Sequence, residues 1–62
     1  MTMMWTAILQ NQQGDMERRT MMGPHGGLAM QERVEEIIQP EALQIVVLVK
    51  GNHEVHFPSQ PV

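Results

Sequence analysis

The stretch LQIVVLVKGNHEVHF, Leu43 to Phe57, decides the fold. Its first seven residues are apolar at six positions and rich in β-branched side chains, which favour a strand. Gly51-Asn52 is a two-residue signal for a hairpin turn. Glu54–Phe57 then predicts a short returning strand, and Pro58 ends it. We therefore predict an antiparallel hairpin here, with the apolar strand Leu43–Val49 at the centre of the sheet.

A second hairpin is predicted near the amino end of the chain. Met3–Gln10 is an apolar run of strand length that contains β-favouring Trp, Thr and Ile. A polar loop, NQQGD at residues 11–15, separates it from Met16–Met22, which we predict as the returning strand. A helix over Met16–Met22 is the alternative, because Glu and Met favour helices.

One helix is predicted between the two hairpins, over LAMQERVEEIIQ, Leu28–Gln39. Its apolar residues recur at helical spacing and form one stripe, made of Met30, Val34, Ile37 and Ile38. The segment GPHGG, residues 23–27, precedes the helix, and Gly26 or Gly27 must serve as its N-cap. Pro40 is expected to end it, because the residue before a proline avoids helical backbone angles.

These elements predict an α+β fold of the hairpin-helix-hairpin type (ββαββ), in which one helix packs on one face of a four-stranded sheet. Residues 1–58 form a single small domain in this prediction, and residues 59–62 form a flexible tail.

Length and composition limit how such a domain can be stabilised. A chain of 62 residues buries only about 60% of the surface that its unfolded form exposes. It has no cysteine, which excludes disulfides and thiolate zinc sites and leaves oligomerisation as the simplest support. No run approaches the ~18 consecutive apolar residues of a membrane span, and no basic region precedes the first apolar run as in a signal peptide. A cytoplasmic location is therefore expected.

The strand patterns place apolar side chains on both faces of the predicted sheet, because side chains alternate along a strand. Leu43, Ile45, Val47 and Val49 are expected to face the helix. The opposite face, which we call the second face here, is predicted to carry Met4, Ile8, Met21, Val46 and Leu48. Burying such a side chain fully contributes about 1.5–3 kcal/mol, so the second face is expected to meet another surface. A two-fold homodimer is the commonest solution, and a different partner protein is the alternative.

A nucleic-acid-binding module is one alternative function. Arg18, Arg19 and Lys50, with Trp5, are the only basic and aromatic grouping, and such groups bind single strands by stacking and phosphate contact. The net charge of −3 with only four Lys and Arg opposes this interpretation.

A small metal-binding protein is the other alternative, through His25, Glu54 and His56. His53 and His56 lie on opposite sides of a strand, about 10 Å apart, whereas Glu54 and His56 share a side. His25, in the glycine-rich loop, would be the third ligand. The competing interpretation is that these residues deter sheet-to-sheet pairing at an edge strand, and we predict no bound cofactor.

No combination of serine or cysteine with histidine indicates a nucleophile, since the chain has one Asp, one Ser and no Cys. The GPHGG segment lacks the Gly-Lys-Ser/Thr ending of a phosphate-binding loop and fits a connector better. The sequence therefore predicts a small non-enzymatic interaction or regulatory protein that docks to itself or to a partner protein.

Overall fold

The computed structural model describes residues 2–58, and the predicted flexible tail lies outside them. It confirms the α+β fold in hairpin-helix-hairpin order, with four antiparallel strands in one open sheet. The elements are β1 (Thr2–Gln10), β2 (Met16–Pro24), α1 (Gly27–Ile38), a 3₁₀ turn (Gln39–Glu41), β3 (Gln44–Lys50) and β4 (His53–His56). The strand order across the sheet is β2-β1-β3-β4, so β3 is an inner strand, as predicted.

The first hairpin has a long and regular register. Gln10 pairs with Met16 next to the loop, and Thr2 pairs with Pro24 at the far end. Asn11 organises the loop, because its Oδ1 accepts hydrogen bonds from the backbone N–H groups of Gln13 (3.0 Å) and Asp15 (2.9 Å). An asparagine that bonds backbone groups two and four residues ahead closes such turns locally. The alternative of a helix over 16–22 is therefore wrong.

The helix begins after Gly26, which is its N-cap as predicted. Its buried residues are Met30, Val34 and Ile38, spaced four apart on one row of the helix surface. Ile37 lies to one side of that row and is 43% exposed, so the prediction that it joins the buried stripe is wrong. The α-helix ends at Ile38, and Pro40 falls inside the 3₁₀ turn that follows.

The core lies between the helix and one face of the sheet. Its buried members come from β1, α1 and β3, and they are Trp5, Ala7, Leu9, Met30, Val34, Ile38 and Leu48. Gly23 of β2 lets the helix approach the sheet, since a Cβ at this position would lie 2.1 Å from Sδ of Met30. Three alternate residues of β1, Trp5, Ala7 and Leu9, point into this core, as predicted for this strand.

A β-bulge in β3 overturns the predicted assignment of its two faces. Ile45 pairs with Leu9 and Val47 pairs with Ile8, so Val46 is an extra residue without a partner on β1. Beyond it, Leu48 pairs with Ala7 and is fully buried in the core instead of lying on the second face. One inserted residue moves every later side chain to the other face. For the same reason Val47 and Val49 face away from the helix.

Candidate functional site

The helix leaves one whole face of the sheet uncovered, and we call it the open face. The strand registers assign to it, among others, the side chains of Met4, Thr6, Ile8, Gln10, Met16, Arg18, Thr20, Met22, Val47, Val49, Glu54 and His56. Their neighbours along the strands, such as Trp5, Ala7 and Leu48, point into the core. The open face is therefore covered by no other element of residues 2–58.

The centre of the open face is apolar. Ile8 lies opposite Val47, and both are half-buried between their neighbours. Met4 lies opposite Met22, closer than Ile8 to the amino end of β1. The exposed fractions of Met4 and Met22 are 63% and 50%. Val49 completes the group beside Thr6. Five apolar side chains thus lie on three adjoining strands of this face, with the Thr6–Thr20 pair between Met4 and Ile8. Exposed apolar side chains that are grouped in this way are a feature of interaction surfaces.

Two of the predicted second-face residues, Met4 and Ile8, lie on the open face. Leu48 does not, because the bulge turns it into the core, and Val46 is the bulge residue itself. Met21 is also misplaced, since it pairs with Trp5 and packs against the core.

Three of the five apolar residues at the centre of the open face, namely Met22, Val47 and Val49, were missed by sequence reasoning. The register of the first hairpin, counted back from its loop, would have identified Met22 as the partner of Met4. Val47 and Val49 carry no such signal. The run from Ile45 to Val49 contains no polar residue that would reveal the bulge.

Opposite charges lie at the two edges of the open face. Arg18 stands on the edge strand β2, beside Ile8. Glu54 and His56 stand on the other edge strand, β4, where Nε2 of His56 lies 2.9 Å from Oε1 of Glu54. Within residues 2–58, the Arg18 guanidinium makes no salt bridge. The face therefore has an apolar middle, a cation on one side and a carboxylate on the other.

The structure separates the three basic residues of the nucleic-acid hypothesis. Arg19 forms a two-pronged ion pair with Glu41, with Nη1 2.8 Å from Oε2, and its Nε donates to Glu17 at 2.9 Å. These bonds raise the pKa of Arg19, and the bond from Arg19 lowers the pKa of Glu41. Arg18 alone of the three lies on the open face.

Lys50 is engaged on the helix side of the sheet. Its ammonium lies 5.3 Å from the centre of the Trp5 ring and donates to the carbonyl of His25 at 2.8 Å. A cation over an indole ring in this range is attracted by the ring's negative face. Nε1 of Trp5 also donates to the Pro24 carbonyl at 2.9 Å. The two hydrogen bonds, to the carbonyls of Pro24 and His25, hold the GPHGG segment in place as a strand-to-helix connector.

The residues of the metal hypothesis are only partly brought together. Glu54 and His56 share a side of β4, as predicted, and contact each other. His53 lies on the other side, in register with Lys50. In the part of the chain that the structure describes, no group of three or more His, Cys, Asp or Glu side chains is placed to hold a metal ion. Among residues 2–58, His25 is therefore not brought together with Glu54 and His56.

A groove of about 790 Å³ runs between α1 and the start of β3. One wall is acidic, with Glu32, Glu35 and Glu36, and the opposite wall includes Leu43 and Phe57. Pro58 also lines the groove.

Comparisons of the chain with protein-family models, with curated proteins and with solved structures found no match. Among residues 2–58, no helix combines the length and the apolar character needed to cross a bilayer.

Proposed function

We propose that this chain is a small non-enzymatic interaction or regulatory protein, and that it works by docking its open face onto a second copy or onto a partner protein. The observation that carries the proposal is the exposed apolar centre of that face. The proposal includes the cytoplasmic location expected from the sequence.

The chemistry of the open face supports binding. Its five apolar side chains offer methyl, methylene and thioether groups, and Thr6 adds a hydroxyl between Met4 and Ile8. Its charged groups, Arg18 and Glu54, lie at the edges. An apolar centre inside a polar rim is the usual anatomy of a protein interface. Methionines such as Met4 and Met22 adapt their shape to a partner, because their side chains are unbranched and polarisable.

The free energy available from covering this face is large for so small a domain. Each apolar side chain contributes about 1.5–3 kcal/mol when it passes from full exposure to full burial. Met4 is 63% and Met22 50% exposed, so each retains about half of that contribution. Ile8, Val47 and Val49 retain a smaller part, because they are already half-buried. The sum is several kcal/mol, against a total stability of about 5–15 kcal/mol for typical domains.

Methionine oxidation tests this proposal without knowledge of the partner. A short peroxide pulse is applied to the chain in an extract of its native host and to the dilute purified chain. Oxidation of Met4 and Met22 is followed by mass spectrometry, with added N-acetylmethionine as the reference for peroxide dose. A docked face should slow the oxidation of both residues several-fold in the extract. Equal rates in the two samples would contradict the proposal.

A matched pair of variants assigns any protection to the open face. Ile8→Lys places a charge at its centre and should abolish the protection. Leu28→Lys places the same charge on the helix, where Leu28 is 72% exposed, and should leave the protection intact.

A further inference from the structure

We infer that the open face binds a second copy of the chain, with the two-fold axis parallel to the strands and with Arg18 of each copy facing Glu54 of the other. The inference rests on the proposed docking function and names its occupant. It follows from the positions of the charges relative to the apolar centre.

The two charges lie at opposite edges of the sheet. Arg18 belongs to β2 and Glu54 to β4, the first and last strands in the order β2-β1-β3-β4. Three strand spacings of about 4.8 Å separate these strands by roughly 14 Å. The face is therefore electrically polar from one edge to the other, with neutral side chains between.

Two limiting orientations of the two-fold axis place such a face against its copy, one across the strands and one parallel to them. A two-fold axis that runs across the strands places β2 over β2 and β4 over β4, so each charge lies nearer to its own kind than to the opposite charge. A two-fold axis parallel to the strands places β2 over β4 at both edges, so each Arg18 meets the other copy's carboxylate. Close like charges repel and close unlike charges attract, which selects the parallel axis.

The positions along the strands fit the same arrangement. Arg18 lies in one row with Ile8, Val47 and His56, and Glu54 lies in the next row on the same side of the sheet. An axis parallel to the strands preserves these heights, so Arg18 stands over the His56–Glu54 pair of the second copy. Two residues along a strand cover only about 6.7 Å, and packed sheets lie about 10 Å apart. An arginine side chain reaches across such a distance.

His56 orients the carboxylate for this contact. Glu54 accepts a hydrogen bond from Nε2 of His56 through Oε1, and a carboxylate has a second oxygen, Oε2, for a further donor. Arg18 supplies that donor with a guanidinium, whose planar fork matches a carboxylate.

The parallel axis also brings the apolar centre together. The axis passes between the two inner strands, so β1 of one copy lies over β3 of the other. Ile8 then faces Val47 of the second copy, and the contact occurs twice because the interface is the same patch on both chains. Apolar contacts in the middle and ion pairs at both rims make the open face complementary to itself.

A charge-swap series on the purified 62-residue chain tests the inference, with dimer dissociation constants measured by sedimentation equilibrium at low salt. Arg18→Glu changes the net charge from −3 to −5, and Glu54→Arg changes it from −3 to −1. We expect each single variant to weaken the dimer about tenfold, because two exposed ion pairs become repulsive contacts. Overall charge alone would shift the two variants in opposite directions.

The double variant Arg18→Glu with Glu54→Arg restores the attraction and should return the constant to within about threefold of the parent value. Arg33→Glu, on the exposed side of the helix, also gives a net charge of −5 and should stay near the parent value. A double variant as weak as the single variants would overturn the inferred pairing.

The remaining outcomes separate this inference from the proposed function. If Ile8→Lys abolishes the dimer while the charge swaps change nothing, docking through the open face holds and the inferred axis is wrong. If the purified parent is monomeric but Met4 and Met22 are protected in extract, a different protein occupies the face and the inference fails. A dimer that Ile8→Lys leaves intact forms elsewhere, for instance edge to edge through β2, and also overturns it.

Discussion

The two faces of the same sheet differ in how completely their side chains are buried. On the covered face, Trp5 is fully buried and its indole N–H is bonded to a backbone carbonyl. On the open face, its chain neighbour Met4 is 63% exposed. A helix of twelve residues is long enough to cover one face of this sheet and cannot cover both. The chain nevertheless supplies apolar side chains to both, and for this reason we propose that the second set serves binding.

The sharpest contrast between the faces is expected at two adjacent residues of β3. Leu48→Ala should lower the free energy of unfolding by about 2–5 kcal/mol, because it leaves a cavity in the core. Val49→Ala, on the open face, should cost less than about 1.5 kcal/mol in dilute solution. Urea denaturation of both variants at micromolar concentration checks this. Equal losses would mean that the two faces are packed alike.

The Val49→Ala cost should also depend on protein concentration. If the face is covered in a dimer, binding of the second copy adds to the stability of the parent chain as concentration rises. The difference in unfolding free energy between the parent and Val49→Ala should therefore widen as concentration rises. The difference between the parent and Leu48→Ala should be large at every concentration, because the cavity in the core is present in the monomer.

A lysine in the open face should remove association without unfolding the chain. Ile8→Lys would place an unpaired ammonium inside the dimer contact, which costs several kcal/mol, so the dissociation constant should rise by at least about 100-fold. Circular dichroism should show a folded monomer, because Ile8 does not belong to the buried core. An unfolded Ile8→Lys chain, with Leu28→Lys folded, would show that the open face is part of the folding core.

The helix and the sheet approach each other closely at Gly23, so replacing this glycine should lower the stability of the fold moderately. Gly23→Ala forces the end of the buried Met30 side chain to move and should destabilise the fold by about 1 kcal/mol. Gly27→Ala, at the start of the helix, meets only Val55 at an ordinary 3.9 Å and should be neutral or stabilising. Thermal unfolding of the two variants compares them, and the reverse order would contradict the packing described for Gly23.

The smallest effect is expected at the rim of the covered face, where Arg19 holds Glu41. This bond lowers the pKa of Glu41 below its ordinary value near 4.5, so ionised Glu41 stabilises the folded state above that pH. Falling pH protonates the carboxylate and removes the contribution. The difference in unfolding free energy between the parent and Glu41→Gln should thus be present at pH 7 and vanish in acid. A difference that stays constant between pH 7 and pH 3 would contradict this linkage.

Most of the fold could be predicted because its signals are local. The Gly51-Asn52 turn, the helix stripe and the glycine-rich connector each fix their neighbours along the chain, and β1 alternates with Thr6 and Gln10 as polar markers. β3 has no such marker in its middle. The bulge at Val46 depends on pairing with β1, which lies more than thirty residues away in sequence.

The candidate site was only half predictable for the same reason. Met4 and Ile8 follow from alternation within one strand, and the structure places both on the open face. Val47 and Val49 depend on the bulge, and the opposition of Arg18 to Glu54 depends on the order of all four strands. That this face is an interface stays a prediction.

The solution mass of the purified 62-residue chain across a range of concentrations tests the central claim most directly. A self-complementary open face predicts a mass that rises from 7.1 kDa toward twice that value between micromolar and millimolar concentration, and that stays at 7.1 kDa for Ile8→Lys. A parent chain that remains at 7.1 kDa up to millimolar concentration would contradict the claim that the face binds a second copy.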